Sequence, residues 1–172
     1  DGCGPGMYIV RAQNQSESDK CYKCPNGKYS TKQNAASCGF CPNGYFANSV
    51  PSLDKIVRSN VCQGCPRGKW GNLKGAWNAT SGCFNCSMGK FSDAEALSND
   101  NSCKKCPKGK WSAGVGVQKE SDCIDCGPGK HGSTTEGASA ENSCVKCTKG
   151  RFGTTVGAFV FESSRIECPP GK

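Results

Sequence analysis

Cys106-Pro107-Lys108-Gly109-Lys110-Trp111-Ser112 reads CPKGKWS, and Cys65–Gly71, CPRGKWG, is almost its copy. Cys24–Ser30, CPNGKYS, is a third version. The order is always cysteine, glycine, cation, ring, small residue. A chain that keeps writing one such string is built of repeats, and the rest of its organisation follows from them.

Seven CxxC pairs run along the 172 residues: Cys21/Cys24, Cys38/Cys41, Cys62/Cys65, Cys83/Cys86, Cys103/Cys106, Cys123/Cys126 and Cys144/Cys147. Cys3 and Cys168 stand outside them. Counted from the second cysteine of each pair, repeats start at 3, 24, 41, 65, 86, 106, 126 and 147, with a partial one at 168. The spacing is about 20 residues, apart from a short repeat at 24 and a long one at 41. Glycine follows each start by three places: Gly6, Gly27, Gly44, Gly68, Gly89, Gly109, Gly129, Gly150 and Gly171. A cation comes next in seven of nine repeats (Lys28, Lys69, Lys90, Lys110, Lys130, Arg151, Lys172), with Met7 and Tyr45 the exceptions. Then comes a ring: Tyr8, Tyr29, Phe46, Trp70, Phe91, Trp111, His131 or Phe152.

Proline after cysteine presets φ for the first corner of a turn, and glycine two places on takes positive φ, so Cys-Pro-x-Gly reads as a tight turn. The segment carrying the ring suits a short strand, and the Ser-, Asn- and Gly-rich remainder reads as loop. Leu53–Arg58 and Asp93–Leu97 are the two places for a helical turn. A repeat this small cannot bury its own ring, so the ring is expected to be core between stacked neighbours. The expected fold is small, disulfide-rich and mainly β or irregular. Residues 1–172 form one tandem array of about eight repeats, a linear solenoid-like rod.

Composition agrees. There are 16 Cys and 23 Gly, and hydrophobic residues make up only 35%, too few for a large apolar core. An even number of evenly spread cysteines implies disulfides and an oxidising compartment. No apolar run approaches the roughly 18 residues of a membrane span. With Asp1 first, the simplest expectation is a mature secreted protein, at the cell surface or in a matrix. No Ser/His/Asp set, framed carboxylate pair or phosphate loop is visible, so an enzyme is not expected and no cofactor is implied. The net charge of +8 is spread out, unlike a nucleic-acid-binding arm.

The recurrence suggests a pairing rule, second cysteine of one pair to first cysteine of the next. It gives Cys3–Cys21, Cys24–Cys38, Cys41–Cys62, Cys65–Cys83, Cys86–Cys103, Cys106–Cys123 and Cys126–Cys144. Cys147 would then seek position 165, which is Arg165, so Cys168 is its expected partner. Each bridge would contribute roughly 3 kcal/mol in the chain-entropy model. An interleaved ladder, with Cys3–Cys24 and Cys21–Cys38, uses the cysteines equally well. Zinc is the rival chemistry for CxxC pairs. Seven even pairs with one His favour disulfides.

The unit C-x-x-C-P-x-G-x-[YFW]-[SG], as in CYKCPNGKYS and CKKCPKGKWS, resembles the ephrin-receptor-like (GCC2/GCC3-type) cysteine-rich repeats. These are similar in style to tumour-necrosis-factor-receptor and EGF-like modules. The resemblance covers almost the whole chain. It implies an extracellular, disulfide-bonded, rod-like module and favours the first pairing rule, but no single function. Arg165 for Cys, His131 for a hydrocarbon ring, and Ser87, Gly127 and Thr148 for Pro depart from the pattern.

Glycosylation sequons stand at Asn78, Asn14 and Asn85, with Asn78 the best placed and Asn85, inside a CxxC pair, the worst. The cation row from Lys28 to Arg151 would form a stripe for acidic glycan if all repeats stack alike. Its more economical reading is a row that keeps strand edges soluble. The chain begins and stops within a repeat, which suggests head-to-tail self-association. The expected function is a secreted structural subunit of an extracellular fibre, coat or appendage, made of many copies and glycosylated. The alternative is a ligand-binding receptor-type ectodomain or fragment that recognises a protein or acidic glycan.

Overall fold

The computed structural model describes residues 2–14, 16–47, 62–132, 136–147, 151–152, 154, 156–157 and 166–167. Leu53–Arg58 lies outside them. The architecture is disulfide-rich and mainly β or irregular. Its strands form two-stranded hairpins. β1 (Met7–Val10) pairs with β2 (Lys20–Lys23), β3 (Lys28–Tyr29) with β4 (Gly39–Phe40), and β5 (Tyr45–Ala47) with β6 (Cys62–Gly64). β7 (Lys69–Trp70) pairs with β8 (Phe84–Asn85), β9 (Lys90–Phe91) with β10 (Lys104–Lys105), and β11 (Lys110–Trp111) with β12 (Ile124–Asp125). β13 (Lys130–Gly132) pairs with β14 (Cys144–Lys146), and β15 (Arg151–Phe152) with β16 (Ile166–Glu167). Each hairpin is one repeat: the strand after the turn glycine meets the strand at the next CxxC.

The turn lies one residue later than the sequence suggests. Lys28 N–H donates to Pro25 O at 3.0 Å, and Lys110 N–H to Pro107 O at 3.1 Å. Proline is therefore residue i of a four-residue turn, and the glycine is i+2. There Gly27 has φ +80 and Gly109 φ +82, as a type II turn demands. The same bond forms where proline is absent, from Lys90 N–H to Ser87 O and from Lys130 N–H to Gly127 O. Proline is thus replaceable at this corner, whereas glycine is not.

The chain divides into two compact lobes. The first comprises Asp1–Pro66, Trp70–Phe84 and Glu95–Asn99. In it, the N–H groups of Cys24, Cys41 and Cys65 donate to the carbonyls of Gly6, Gly27 and Gly44, each the turn glycine of the preceding repeat. A second set runs in the same direction, from the loop of one repeat to the starting cysteine of the one before: Asn34 to Cys3, Gly75 to Cys41 and Ala96 to Cys65, each at 2.8 Å. The second lobe comprises Arg67–Lys69, Asn85–Ala94 and Asp100–Lys172. It repeats both sets. Cys86, Cys106 and Cys126 donate to Gly68, Gly89 and Gly109, and Gly116, Gly137 and Gly157 donate to Cys86, Cys106 and Cys126.

The core is mostly cystine. Cys3, Cys41, Cys65, Cys86, Cys106 and Cys126, all starting cysteines, are among the most deeply buried side chains. Three rings pack as expected against the disulfide of the following repeat: Phe46 on Cys65 and Cys83, Phe91 on Cys106 and Cys123, and Tyr29 on Cys41 and Cys62. Phe46 and Phe91 are buried, but Tyr8, Tyr29, Trp70, Trp111 and His131 are only half-buried. The next position is more consistently buried, at Ser30, Ala47, Gly71, Ser92, Ser112 and Gly132, with Ile9 of the first repeat half-buried. Neighbouring strand residues face opposite sides. The small residue faces the cystine of its own repeat, as Gly71 faces Cys65, and the ring faces the following repeat, as Phe46 faces Ala76 and the Cys65–Cys83 bridge. No larger group fits inside. A Cβ on Gly71 would lie 2.4 Å from Gly82 O and 3.1 Å from Cys65 Sγ. Where serine stands there, its Oγ donates two residues on, from Ser92 to Ala94 O at 2.9 Å.

Helix is scarce among the described residues. Asp93–Leu97 is bend and not helix, with Ala96 at φ +60. A four-residue helix, α1, forms instead at Ala79–Gly82 under the Asn78 cap. Short 3-10 turns at Asp100–Ser102, Glu120–Asp122 and Glu141–Ser143 deliver the chain to Cys103, Cys123 and Cys144.

Three glycine-to-alanine changes in the second lobe separate the constraints. Gly127 has free space and ordinary φ, so Gly127→Ala should shift stability by at most about 0.5 kcal/mol. Gly129 has φ +73 with nothing near its would-be Cβ, so Gly129→Ala should cost about 1–2 kcal/mol. Gly89 adds a backbone contact, Gly137 O at 2.2 Å from a Cβ, so Gly89→Ala should cost most. Guanidinium midpoints of the unreduced variants check the order.

Candidate functional site

Seven disulfides close successive repeats: Cys3–Cys21, Cys24–Cys38, Cys41–Cys62, Cys65–Cys83, Cys86–Cys103, Cys106–Cys123 and Cys126–Cys144. They span 14 to 21 residues, so each restrains the unfolded chain by roughly 3 kcal/mol in the loop-entropy model. Their partners are those of the first pairing rule and not of the interleaved ladder. Bonded this way, the cysteines are chemically spent. Cys147 is half-buried with no disulfide partner among the described residues, and Cys168 lies outside them. Among the described residues, no group of three or more His, Cys, Asp or Glu is placed to hold a metal ion. No described helix is long and apolar enough to cross a membrane.

The three sequon asparagines stand in different settings. Asn14 is exposed in the loop between β1 and β2. Asn78 is half-buried, and its Oδ1 accepts from Ser81 N–H at 2.7 Å and from Ser81 Oγ at 2.8 Å. It is the cap of α1, which satisfies a backbone donor that the short helix cannot. Asn85 is exposed on β8, between Cys83 and Cys86.

Much of the cation row is already engaged. Lys90 pairs with Asp100, Lys110 with Asp125 at 3.0 Å, and Lys130 with Glu141 at 2.6 Å. Lys28 instead lies over the Phe40 ring, 4.5 Å from its centroid. Arg151 is described in backbone only, and Lys172 lies outside the described residues. Sequence reasoning missed these partners because Asp100 and Glu141 sit in 3-10 turns, and spacing alone does not give the register that sets Asp125 opposite Lys110 and Phe40 opposite Lys28. It also missed a left-handed position in six of the loops, Asn34, Gly75, Ala96, Gly116, Gly137 and Gly157, which binds the preceding repeat. A second Gly or Asn about ten residues after the starting cysteine was its signal in five of these six loops.

Asp100 is the most engaged carboxylate. Partial burial pushes its pKa up, but hydrogen bonds from Lys90 and from the Ser87 hydroxyl and N–H outweigh that and hold it below the usual carboxylate value. Lys104 does the same for Asp93, and Lys130 for Glu141. His131, at a ring position, has Nδ1 3.2 Å from Gly132 O and is half-buried. These are ties within repeats, with no nucleophile–base pair among them.

No family model matches the sequence, and no curated protein matches it.

Depressed carboxylate pKa values stabilise the fold above the unfolded value of 3.8. That contribution is lost as pH falls through the lower, folded value. The denaturation midpoint should therefore drop below about pH 4. Asp100→Asn should lower neutral-pH stability by about 1 kcal/mol and flatten that acid limb. Guanidinium titrations at neutral and acid pH check both.

Proposed function

We propose that this chain is a secreted structural protein, a subunit of an extracellular fibre, coat or appendage assembled from many copies. The observation that carries the reading is the joint between repeats. Within each lobe the same main-chain bonds link one repeat to the next, from cysteine N–H back to the turn glycine and from loop N–H back to the starting cysteine. Main-chain joints do not depend on side-chain identity, so one repeat can follow another wherever these groups are presented. The same logic supports a solenoid-like rod and head-to-tail self-association. The disulfides support maturation in an oxidising compartment, with cell surface or matrix as the destination. Kinship with ephrin-receptor-like repeats rests on the C-x-x-C-P-x-G-x-ring-small motif. On this reading glycan is carried at Asn14 and Asn78, and Asn85 is the least favoured site.

A receptor-type binding module is the second reading. What favours it is the exposure of large apolar side chains, Trp77 at 56% and Phe40 at 46% among them.

Negative-stain microscopy of the unreduced protein at rising concentration separates the two. Uniform filaments that vanish on reduction are expected. Single particles at every concentration would overturn the polymer and leave the binding module.

A further inference from the structure

We propose that the first lobe carries a binding site for acidic polysaccharide, centred on Lys28 and distinct from the cation row as a whole. A hollow of about 180 Å³ opens beside β3. Tyr8, Pro25, Ala36 and the Cys38 end of a disulfide give it apolar walls, Ser37 adds a hydroxyl, and Lys28 stands at its rim. Tyr8 is braced by a stacked Tyr22, with ring centroids 5.7 Å apart. The Lys28 ammonium also lies over the exposed ring of Phe40, 4.5 Å from its centroid, and Lys74 stands 6.0 Å from the same centroid. Gly75 backs that ring, because a Cβ there would touch it.

Two features commit the occupant. The first is charge. Three of the equivalent lysines, Lys90, Lys110 and Lys130, each hold a carboxylate, whereas among the described residues none lies within ion-pair distance of Lys28 or Lys74, nor of Lys69, which has no such hollow beside it. The ammonium groups of Lys28 and Lys74 are therefore available to an anion from outside. The second is shape. An open hollow with an aromatic wall, followed by an exposed ring, presents flat apolar faces in succession. A pyranose offers a C–H face to such a wall while its carboxylate or sulfate reaches an ammonium. The hollow takes one sugar residue, and Phe40 with Lys74 takes the next. The site stands whether or not chains polymerise.

The test uses the unreduced full chain and calorimetry at physiological salt. Probes are polygalacturonate, dextran sulfate, neutral dextran and polyglutamate. Binding to one or both acidic polysaccharides is expected, with neutral dextran silent and polyglutamate weaker. Polygalacturonate against dextran sulfate tells carboxylate from sulfate recognition. Lys28→Met and Phe40→Ala should each weaken binding by roughly tenfold, the worth of one good contact. Lys28→Arg should retain it, and Lys119→Met, which removes an exposed charge in the other lobe, should not change it. Unchanged denaturation midpoints show that the variants are folded. Any of three results would overturn the proposal: no acidic polysaccharide binds, every lysine variant weakens binding equally, or polyglutamate binds as tightly as the sugars.

Discussion

The rest of the structure depends on how closely two backbones approach at the turn glycine. A Cβ on Gly27 would lie 2.1 Å from Gly75 O, and one on Gly44 would lie 2.3 Å from Ala96 O. In the second lobe, Gly68 and Gly89 meet Gly116 O and Gly137 O in the same way. In each case the glycine of one repeat touches the loop of the repeat two further on. Positive φ alone would tolerate Asn at a modest cost, but a contact this close admits no side chain. With the backbones this near, main-chain bonds do the joining, and each cystine fills the narrow space between. A large apolar core has no room to form, which is why hydrophobic side chains are few and many of them lie outside.

The repeat, its length and the need for glycine were legible because each depends on one residue type at fixed spacing. The turn was misplaced by one residue because proline suits either of two corners, and only the carbonyl of Pro25 or Pro107 shows which corner is used. The rings as core between repeats were legible for Tyr29, Phe46 and Phe91, whereas the partial exposure of Trp70, Trp111 and His131 was not. Ring and small residue are adjacent, and the sequence does not mark that the small one is buried even where the ring is half-exposed. Ser92, at 2% exposure beside the cystine, shows that polar can be the inward one when its hydroxyl has a carbonyl to bind. The helical turn at Asp93–Leu97 failed because Ala96 must adopt positive φ to donate to Cys65 O. A tertiary bond overrode local preference there.

Charge follows the same division between the regular and the irregular. Lysine after the turn glycine is regular, whereas its partner comes from wherever a loop brings a carboxylate. Asp100 reaches Lys90 from a 3-10 turn within the same repeat, and Asp125 reaches Lys110 across the strand pair. Exposed pairs of this kind contribute little each, and salt screens them. Their larger effect is subtractive. Three lysines that might have made a continuous basic stripe are neutralised in place, so net charge overstates what the row offers a partner.

What remains for recognition is therefore local. The joints use backbone, the cystines are buried, and the paired lysines are occupied. Variation between repeats is free only in loop length, in the residue opposite the ring, and in whether a carboxylate arrives. The hairpin of β3 and β4 differs from β11 and β12 on each count. It closes with the shortest disulfide loop, of 14 residues, sets Gly39 opposite its ring, and leaves its lysine on Phe40 instead of on a carboxylate. The short loop lines a hollow at Ala36–Cys38, and the Lys28 ammonium, with no described carboxylate beside it, gives that hollow a sign. A repeat array built on recurring backbone contacts thus acquires distinct surfaces by omission, as at Lys28, which has no described carboxylate of the kind that Lys90, Lys110 and Lys130 hold.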